Sequence, residues 1–377
     1  MAVVGIVCEY NPFHLGHGKQ IARIRQEDPE AVILCAMSGS FVQRGEPAVF
    51  PRLTRAEAAV RCGADLVVEL PINVSLSSAE GFADGAVKLL GALGAEKLCF
   101  GAETGSGEAL MEAAKLLLDE RLNIKLREYL DLGISFPAAR ARAFRDLGGN
   151  GELLEKPNNI LGTEYCKAIL RQQLPMVPMV IERGGDYHAE APDASDPSAT
   201  ALRGLLDRGE DIGPYVPEAA LSAYEKANVH GLKTLEPAIL ARLRSMTEAE
   251  FEALPYGGEG LWRKLMHEAR RGRTLEEILE AVKSKRYTRT RLNRMVLCAF
   301  LGLTYEDLHR EAPYARILAI SSRGRAILRQ EHDVNLLHLG QKTQDPYAET
   351  ERRLLALYAL SSRVPEGPAP KEAVFLL

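Results

Sequence analysis

Val3-Val4-Gly5-Ile6-Val7-Cys8-Glu9-Tyr10-Asn11-Pro12-Phe13-His14-Leu15-Gly16-His17 is the stretch on which the fold turns. Its first half is a near-continuous apolar run, the pattern of a strand buried on both faces of a sheet. Asn11-Pro12 is a turn dipeptide that breaks the run. His-x-Gly-His and a helix-like segment, Lys19 to Gln26, follow. A strand, a tight turn and a helix start bearing two histidines make a phosphate site. The helix N-terminus presents N–H groups and the positive end of its dipole. Gly16 lets a nucleotide approach the backbone. His14 and His17 can donate to phosphate oxygens and stabilise charge built up in phosphoryl transfer. For the four letters alone a surface pair or metal ligands is the commoner reading; the position directly after the first buried strand favours the phosphate site. No GxxxxGK[ST] follows, so this is not a Walker A loop.

Outward from that stretch, apolar runs alternate with helical periodicity. Ala31–Met37, Asp65–Pro71, Lys97–Gly101 and Met176–Arg183 read as further strands, with Pro178 placing the last at an edge or a bulge. Helices are expected over about Thr54–Arg61, with Thr54 as N-cap and Glu57 completing a capping box, over Ala79–Leu93, through most of Ser106–Asp146, and over Thr163–Gln172 after a loop at Lys156–Gly162. Alternation of this kind predicts an α/β fold with a parallel sheet. Ligands lie past the carboxyl ends of such strands, where His14, Ser38 and Gly101 fall.

Composition narrows the function. With 377 residues, 46% of them hydrophobic, the chain can hold more than one domain and a sizeable core. A net charge of −4 gives no global nucleic-acid signal, so any such surface is a local patch. The six cysteines form no CxxC pair and suggest neither a disulfide framework nor zinc. No targeting segment or apolar run of 18 residues is read, which fits a cytoplasmic protein with no membrane partner. No carboxylate pair marks a metal site.

Two later segments carry chemistry. Ser198-Ala199-Thr200-Ala201-Leu202-Arg203 opens a helix; serine and threonine there can cap N–H groups or join them in holding a β- or γ-phosphate, with Arg203 as a second clamp. Alone, the hexapeptide is an ordinary cap. Beyond residue 210 an all-helical texture runs to about Leu303, and within it Lys283 to Asn293 and Arg294 include six basic residues in twelve (Lys283, Lys285, Arg286, Arg289, Arg291 and Arg294) and no acidic one. A solvated helix face is the ordinary explanation; the lack of acid in an acidic chain favours a phosphate-backbone contact surface. Ala315–Ile320 reads as a short strand, and the last fifteen residues as a loosely docked tail. The expected division is a nucleotide-binding domain over 1–210 and a mainly helical region over 211–377.

The first-turn motif and the Ser198/Thr200/Arg203 segment resemble those of the HIGH-type nucleotidyltransferase superfamily. The whole chain resembles the tRNA(Met) cytidine acetate ligase family through Glu9–His14 with Gly16-His17, Met37-Ser38-Gly39, Gln43-Arg44-Gly45-Glu46-Pro47, Gly63–Pro71, Phe100-Gly101, Lys156–Gly162, Asp186-Tyr187-His188, Ser198-Ala199-Thr200 with Arg203, and Lys285–Thr288 with Thr290-Arg291-Leu292. Ala201 and Leu202 depart from the family's second phosphate motif, in which serine and isoleucine are usual.

The resemblance implies a Rossmann-like fold and an enzyme that activates acetate with ATP, then acetylates N4 of the wobble cytidine, in the anticodon loop of elongator tRNA(Met). It implies catalytic roles for His14, His17 and Arg203. It implies ATP contacts from Val7, Cys8, Glu9, Tyr10, Asn11, Pro12, Phe13, Gly16, Gly101, Asn158, Arg183, Ser198 and Thr200, and Mg²⁺ on the phosphates. The Gln43–Pro47 loop and its Arg44 are candidates for covering the site or touching RNA, with an ion pair to Glu46 as the alternative for Arg44, and His188 is a candidate for the proton of the transfer step. Read from the residues alone, the chain supports α-phosphate chemistry on ATP plus a polyanion surface. Two rivals stay open there: a small-molecule nucleotidyltransferase acting on a cofactor precursor, and a non-catalytic RNA-binding protein.

Overall fold

The apolar run after Ala2 does form the centre of a sheet. In the computed structural model, which describes residues 2–103, 106–134, 136–182, 197–284, 286–368 and 374–377, the strands are β1 (Val3–Cys8), β2 (Val32–Ser38), β3 (Phe41–Val42), β4 (Glu46–Pro47), β5 (Leu66–Leu70), β6 (Lys97–Ala102), β7 (Val177–Glu182), β8 (Ala315–Ile320), β9 (Leu336–His338) and β10 (Phe375–Leu376). The main sheet runs β10-β8-β5-β2-β1-β6-β7, with β9 beside β8; β3 and β4 make a separate hairpin. From β5 through β7 every pairing is parallel.

Chain order reverses between β1 and β6, so a crevice opens there at the carboxyl ends of the strands. Successive side chains of β1 go to opposite faces. Val3 packs with Leu34, Leu66, Phe82 and Leu90 on one side. Val4 and Ile6 pack with Ile21, Ile33 and Leu202 on the other. Burying each such side chain contributes about 1.5–3 kcal/mol, and two filled faces make the run uniformly apolar rather than alternating.

Beyond this α/β body, Leu235, Ile239, Trp262, Ile278 and Met295 build a third, all-helical core that also takes in Phe41 from the hairpin. Several expectations shift. The second helix is Arg52–Arg61, capped at Pro51 with no side-chain bond, and Thr54 lies inside it. Within this helix Arg55 is fully buried, and its guanidinium serves four carbonyls, those of Phe50, Glu9, Ser38 and Gly39. The expected loop at Lys156–Gly162 is instead the first turns of the helix Pro157–Arg171, with proline at its start.

The sheet is not confined to the first 210 residues. β8 lies antiparallel against β5, and β9 and β10 flank β8. The chain end is therefore tied in at Phe375–Leu376 rather than loosely docked. Pro178 sits in β7, the edge strand, opposite Leu98.

Candidate active site

His14 is the N-cap of the helix Leu15–Glu27, its backbone extended at φ −142° and ψ 177°. Its Nδ1 accepts the N–H of Gly16 at 3.1 Å, while Nδ1 of His17 accepts the N–H of His14 at 3.2 Å. The HxGH pattern is thus a capping box built from two imidazoles. With both Nδ1 atoms accepting, the ring protons belong on Nε2, making each imidazole an Nε2–H donor. The rings lie 3.8 Å apart between centroids, with Tyr10 edge-on to His17 at 4.9 Å. No acidic residue occupies the first turn, so the positive end of the helix is not offset by its own side chains.

The turn is held from outside. Asn11 Oδ1 accepts the N–H of Val49 at 2.7 Å, and the N–H of Phe13 donates to the Tyr224 hydroxyl at 2.8 Å. Tyr10 is strained into positive φ, 45°. Such a conformation persists only where the surroundings dictate it; here burial of the ring does so.

The second motif meets the first. Ser198 caps the helix Ala199–Arg208, its Oγ accepting the N–H of Ala201 at 3.1 Å. Arg203 donates to the carbonyl of Asn11 at 2.8 Å and to Thr200 Oγ1 at 3.3 Å. Both helix starts face one cleft of about 530 Å³, large enough for a nucleotide and a small second substrate.

The cleft is lined by Val7, Cys8, Glu9, Tyr10, Asn11, His14, Gly16, His17, Gly101, Asn158, Ser198, Thr200 and Arg203 of the expected set. Pro12 and Phe13 are buried and do not line it; Phe13 packs in the core between Tyr10 and His17. Asn158 is engaged: its N–H and its amide donate to Glu103 Oε1 at 3.2 and 2.8 Å, and Asn159 donates to Oε2 at 3.0 Å. Glu103 so serves as the remote cap of the helix Pro157–Arg171. Arg183, His188 and Lys285 lie outside the described residues.

Gln43 and Glu46, from the loop expected to cover the site, line the cleft, whereas sequence reasoning missed Gln20, Phe82, Phe100 and Thr290 as cleft residues. Phe100 and Thr290 lay inside quoted motifs, which was a signal; Gln20 and Phe82 sit within amphipathic helices and carried none. Arg44 of the hairpin also lines the cleft.

Glu9 is the carboxylate nearest the first turn in sequence. Its Oε1 accepts the N–H of Gln43 at 2.7 Å and the Ser38 hydroxyl at 3.5 Å. Burial raises its pKa; the Gln43 N–H and the charges of Arg203, Arg44 and Arg55 act against that rise without cancelling it. Burial also pushes the Cys8 thiol and the Tyr10 phenol well up, so both stay protonated. Among the described residues no group of three His, Cys, Asp or Glu stands together to hold a metal ion. No helix among them is long and apolar enough to cross a membrane.

The basic segment divides. Acid absent from the run itself comes from neighbouring elements: Arg289 pairs with Glu276 and Glu280, Lys283 with Glu280, and Arg286 with Glu259. Arg291 donates to the Tyr256 carbonyl at 2.9 Å. Arg294 is buried over the Tyr256 ring and donates to the Gln43 carbonyl at 3.2 Å. Arg291 and Arg294 therefore bind the helix Arg289–Leu301 to its surroundings, while Lys283 and Arg286 remain exposed.

A family model described as HIGH Nucleotidyl Transferase matches residues 1–370. The chain is 36% identical to the tRNA(Met) cytidine acetate ligase of Geobacillus sp., over 95% of this chain and 94% of that one. It is 36% identical to that of Anoxybacillus flavithermus, over 99% and 98%. Among solved structures it is similar to apo Thermotoga maritima TmcAL, with a TM-score of 0.91 and 29% identity over the whole of both chains. It also matches the same protein bound with alpha-thio ATP, with a TM-score of 0.88 and 30% identity.

Proposed function

The chain belongs to the HIGH nucleotidyl transferase family and, within it, to the tRNA(Met) cytidine acetate ligases, and from that premise we propose that it joins acetate to N4 of the wobble cytidine of elongator tRNA(Met) at the expense of ATP. The observation that carries this reading is the convergence of the His14/His17 capping box and the Ser198–Arg203 helix start on one cleft.

In the first half-reaction an acetate oxygen attacks the α-phosphorus, the new O–P bond forms, and pyrophosphate leaves. The Nε2–H donors of His14 and His17 and the N–H groups at the start of the helix Leu15–Glu27 stabilise the charge that grows on the phosphate oxygens. Ser198, Thr200, the helix they open and Arg203 hold the leaving phosphates. Gly101 and Asn158 wall the adenosine side of the cleft.

Mg²⁺ fits as a companion of the nucleotide rather than as a resident of the protein. It binds phosphate oxygens and water with few carboxylates, and among the described residues no carboxylate cluster stands ready to hold it. Bound there, it would neutralise charge on the β- and γ-phosphates.

In the second half-reaction the cytidine amine attacks the acetyl carbonyl and AMP leaves. The base must be unstacked from the anticodon loop to enter the cleft. The 41–47 hairpin, with Arg44, borders the opening and shields the mixed anhydride from water. The tRNA backbone is held by the helical part of the chain, with Lys283, Lys285 and Arg286 making phosphate contacts. Arg289, Arg291 and Arg294 shape the surface that carries them. The cytoplasm, where tRNA resides, is the matching compartment.

Incubation of the protein with tRNA, ATP and isotopically labelled acetate, followed by mass spectrometry of the tRNA fragments, tests this. Labelled acetyl on the anticodon cytidine is expected. Pyrophosphate release with label never reaching tRNA would favour the small-molecule adenylylation reading instead.

A further inference from the structure

Acylation of an exocyclic cytosine amine needs a proton acceptor. The N4 lone pair is delocalised into the ring, and the nitrogen becomes acidic only as the N–C bond forms, so a positioned base is called for at that moment. Most polar groups around the first turn do not qualify. His14 and His17 accept backbone N–H groups on Nδ1 and carry their protons on Nε2, which makes them donors. Arg44 and Arg203 remain charged. The Cys8 thiol and Tyr10 phenol are held protonated by burial.

Resting on the acetyl-transfer reading above, we propose that Glu9 is the proton acceptor of the second half-reaction, its carboxylate aligned by the peptide of Gln43. Glu9 directly follows β1, in the cleft wall, one residue before the strained Tyr10 and five before His14. Both of its hydrogen bonds among the described residues fall on Oε1, from Gln43 N–H and Ser38 Oγ–H, so Oε2 has no donor there. The aligning peptide is itself clamped. The Gln43 carbonyl accepts from Arg294, and the Gln43 side-chain amide donates to the carbonyl of Ser77 at 3.3 Å. Burial raises the affinity of this carboxylate for a proton, which suits a base that must take one from nitrogen.

The step balances. The N4–C bond forms and the carbonyl electrons move to oxygen. One N4 proton passes to Glu9 Oε2. The tetrahedral adduct collapses, the C–O bond to phosphate breaks, and AMP departs with the electron pair. Glu9 then releases its proton to the departing phosphate or to water.

The test separates the two half-reactions. Acetyl-adenylate formation is followed as pyrophosphate release without tRNA, and transfer as a single turnover from preformed acetyl-adenylate to tRNA. Glu9→Gln is expected to slow transfer by about 10²–10⁴-fold more than it slows adenylate formation, so that the ratio of the two rates in the same variant is what is read; whatever adenylation remains also reports on folding. Glu9→Asp, which keeps the charge and retracts it by one methylene, is expected to fall between Glu9→Gln and wild type. Equal losses in both steps, transfer by Glu9→Gln within about tenfold of wild type, or a selective transfer loss in Glu46→Gln instead would overturn the assignment. Should Glu9→Gln fail to fold, Glu9→Asp decides: a loss in transfer larger than its loss in adenylation supports the assignment, and equal losses overturn it. A wild-type protein that forms acetyl-adenylate but never acetylates tRNA would refute the underlying function, a different result from any of these.

Discussion

Arg203 Nη1 donates to the carbonyl of Asn11 at 2.8 Å, joining two motifs that lie 192 residues apart in the chain. The same guanidinium reaches Thr200 Oγ1 at 3.3 Å. A planar fork can span both acceptors where a point charge cannot. Arg203→Ala is expected to lower ATP-dependent pyrophosphate release by about 10²–10³-fold, the usual loss for one preorganised donor. Arg203→Lys should recover only part of it. Full activity in the lysine variant would mean that charge alone is needed and that the bond to Asn11 is incidental.

His17 does two jobs, and they separate experimentally. As an acceptor for the His14 N–H it is half of a capping box, which contributes about 1 kcal/mol. As an Nε2–H donor it would serve the nucleotide in the proposed reaction. His17→Ala should therefore shift the thermal midpoint by about 2–4 °C while lowering pyrophosphate release by about 10²–10³-fold. Differential scanning fluorimetry beside the activity assay checks both numbers.

That those two motifs meet at one cleft could be anticipated because the proposed phosphate chemistry would need few residue types at fixed spacing, and the strand before the first is apolar on both faces. The five parallel strands were legible for the same reason. What was hidden depends on contacts distant in sequence. Thr54 has the composition of a cap, yet the helix starts two residues earlier, at Arg52, and the buried Arg55 within it is held by carbonyls of segments distant in sequence. The helix at Pro157 is capped by Glu103, more than fifty residues upstream, so beyond the proline at its start no local pattern announced it. The basic run read as acid-free because its acidic partners lie outside it: Glu276 and Glu280 on the helix Leu275–Val282 and Glu259 in a turn. Period and turn chemistry are local; remote caps and ion pairs are not.

Glu9 also bears on stability, with a definite sign. Burial raises its folded-state pKa above the ordinary 4.5, against the opposing pull of the Gln43 N–H, Arg203, Arg44 and Arg55. The folded state thus holds this proton more tightly than the unfolded state does. Stability associated with it is complete below pH 4.5 and is lost as pH rises through the folded-state pKa. Glu9→Gln keeps an oxygen for the Gln43 N–H but carries no charge, so at pH 7 it should unfold at higher urea than wild type. The gap should close below about pH 4.5. A gap independent of pH would show that the carboxylate is not the source.

The divided basic segment makes an unequal prediction about RNA. Exposed ion pairs such as Arg286–Glu259 are worth little, and a phosphate can replace the carboxylate. Arg286→Ala should weaken tRNA binding and reduce the slope of log affinity against log salt by about 1. Arg289 is held by two glutamates and Asn293, and its loss should change that slope much less. Filter binding over a salt series distinguishes them; equal slopes for both variants would show that the pairing seen here does not govern contact with RNA.

Gly45 tests how firmly the hairpin is seated. Its φ is +78°, and a Cβ there would lie 2.6 Å from the carbonyl carbon of Asn293 and closer still to the backbone nitrogen of Arg294. The obstacle is helix backbone, which cannot swing aside as a side chain can. A left-handed conformation alone costs a residue with a side chain about 1–2 kcal/mol, and asparagine tolerates it better than alanine does. If conformation were the whole constraint, Gly45→Asn would be milder than Gly45→Ala. The backbone contact predicts instead that both variants lose stability by more than about 2 kcal/mol. It predicts too that both slow acetyl transfer more than adenylation, because the displaced hairpin carries the Gln43 peptide away from Glu9 and from Arg294. Urea unfolding with the two half-reaction assays settles the matter, and an asparagine variant with normal transfer would show that the hairpin can leave the helix without disturbing the cleft.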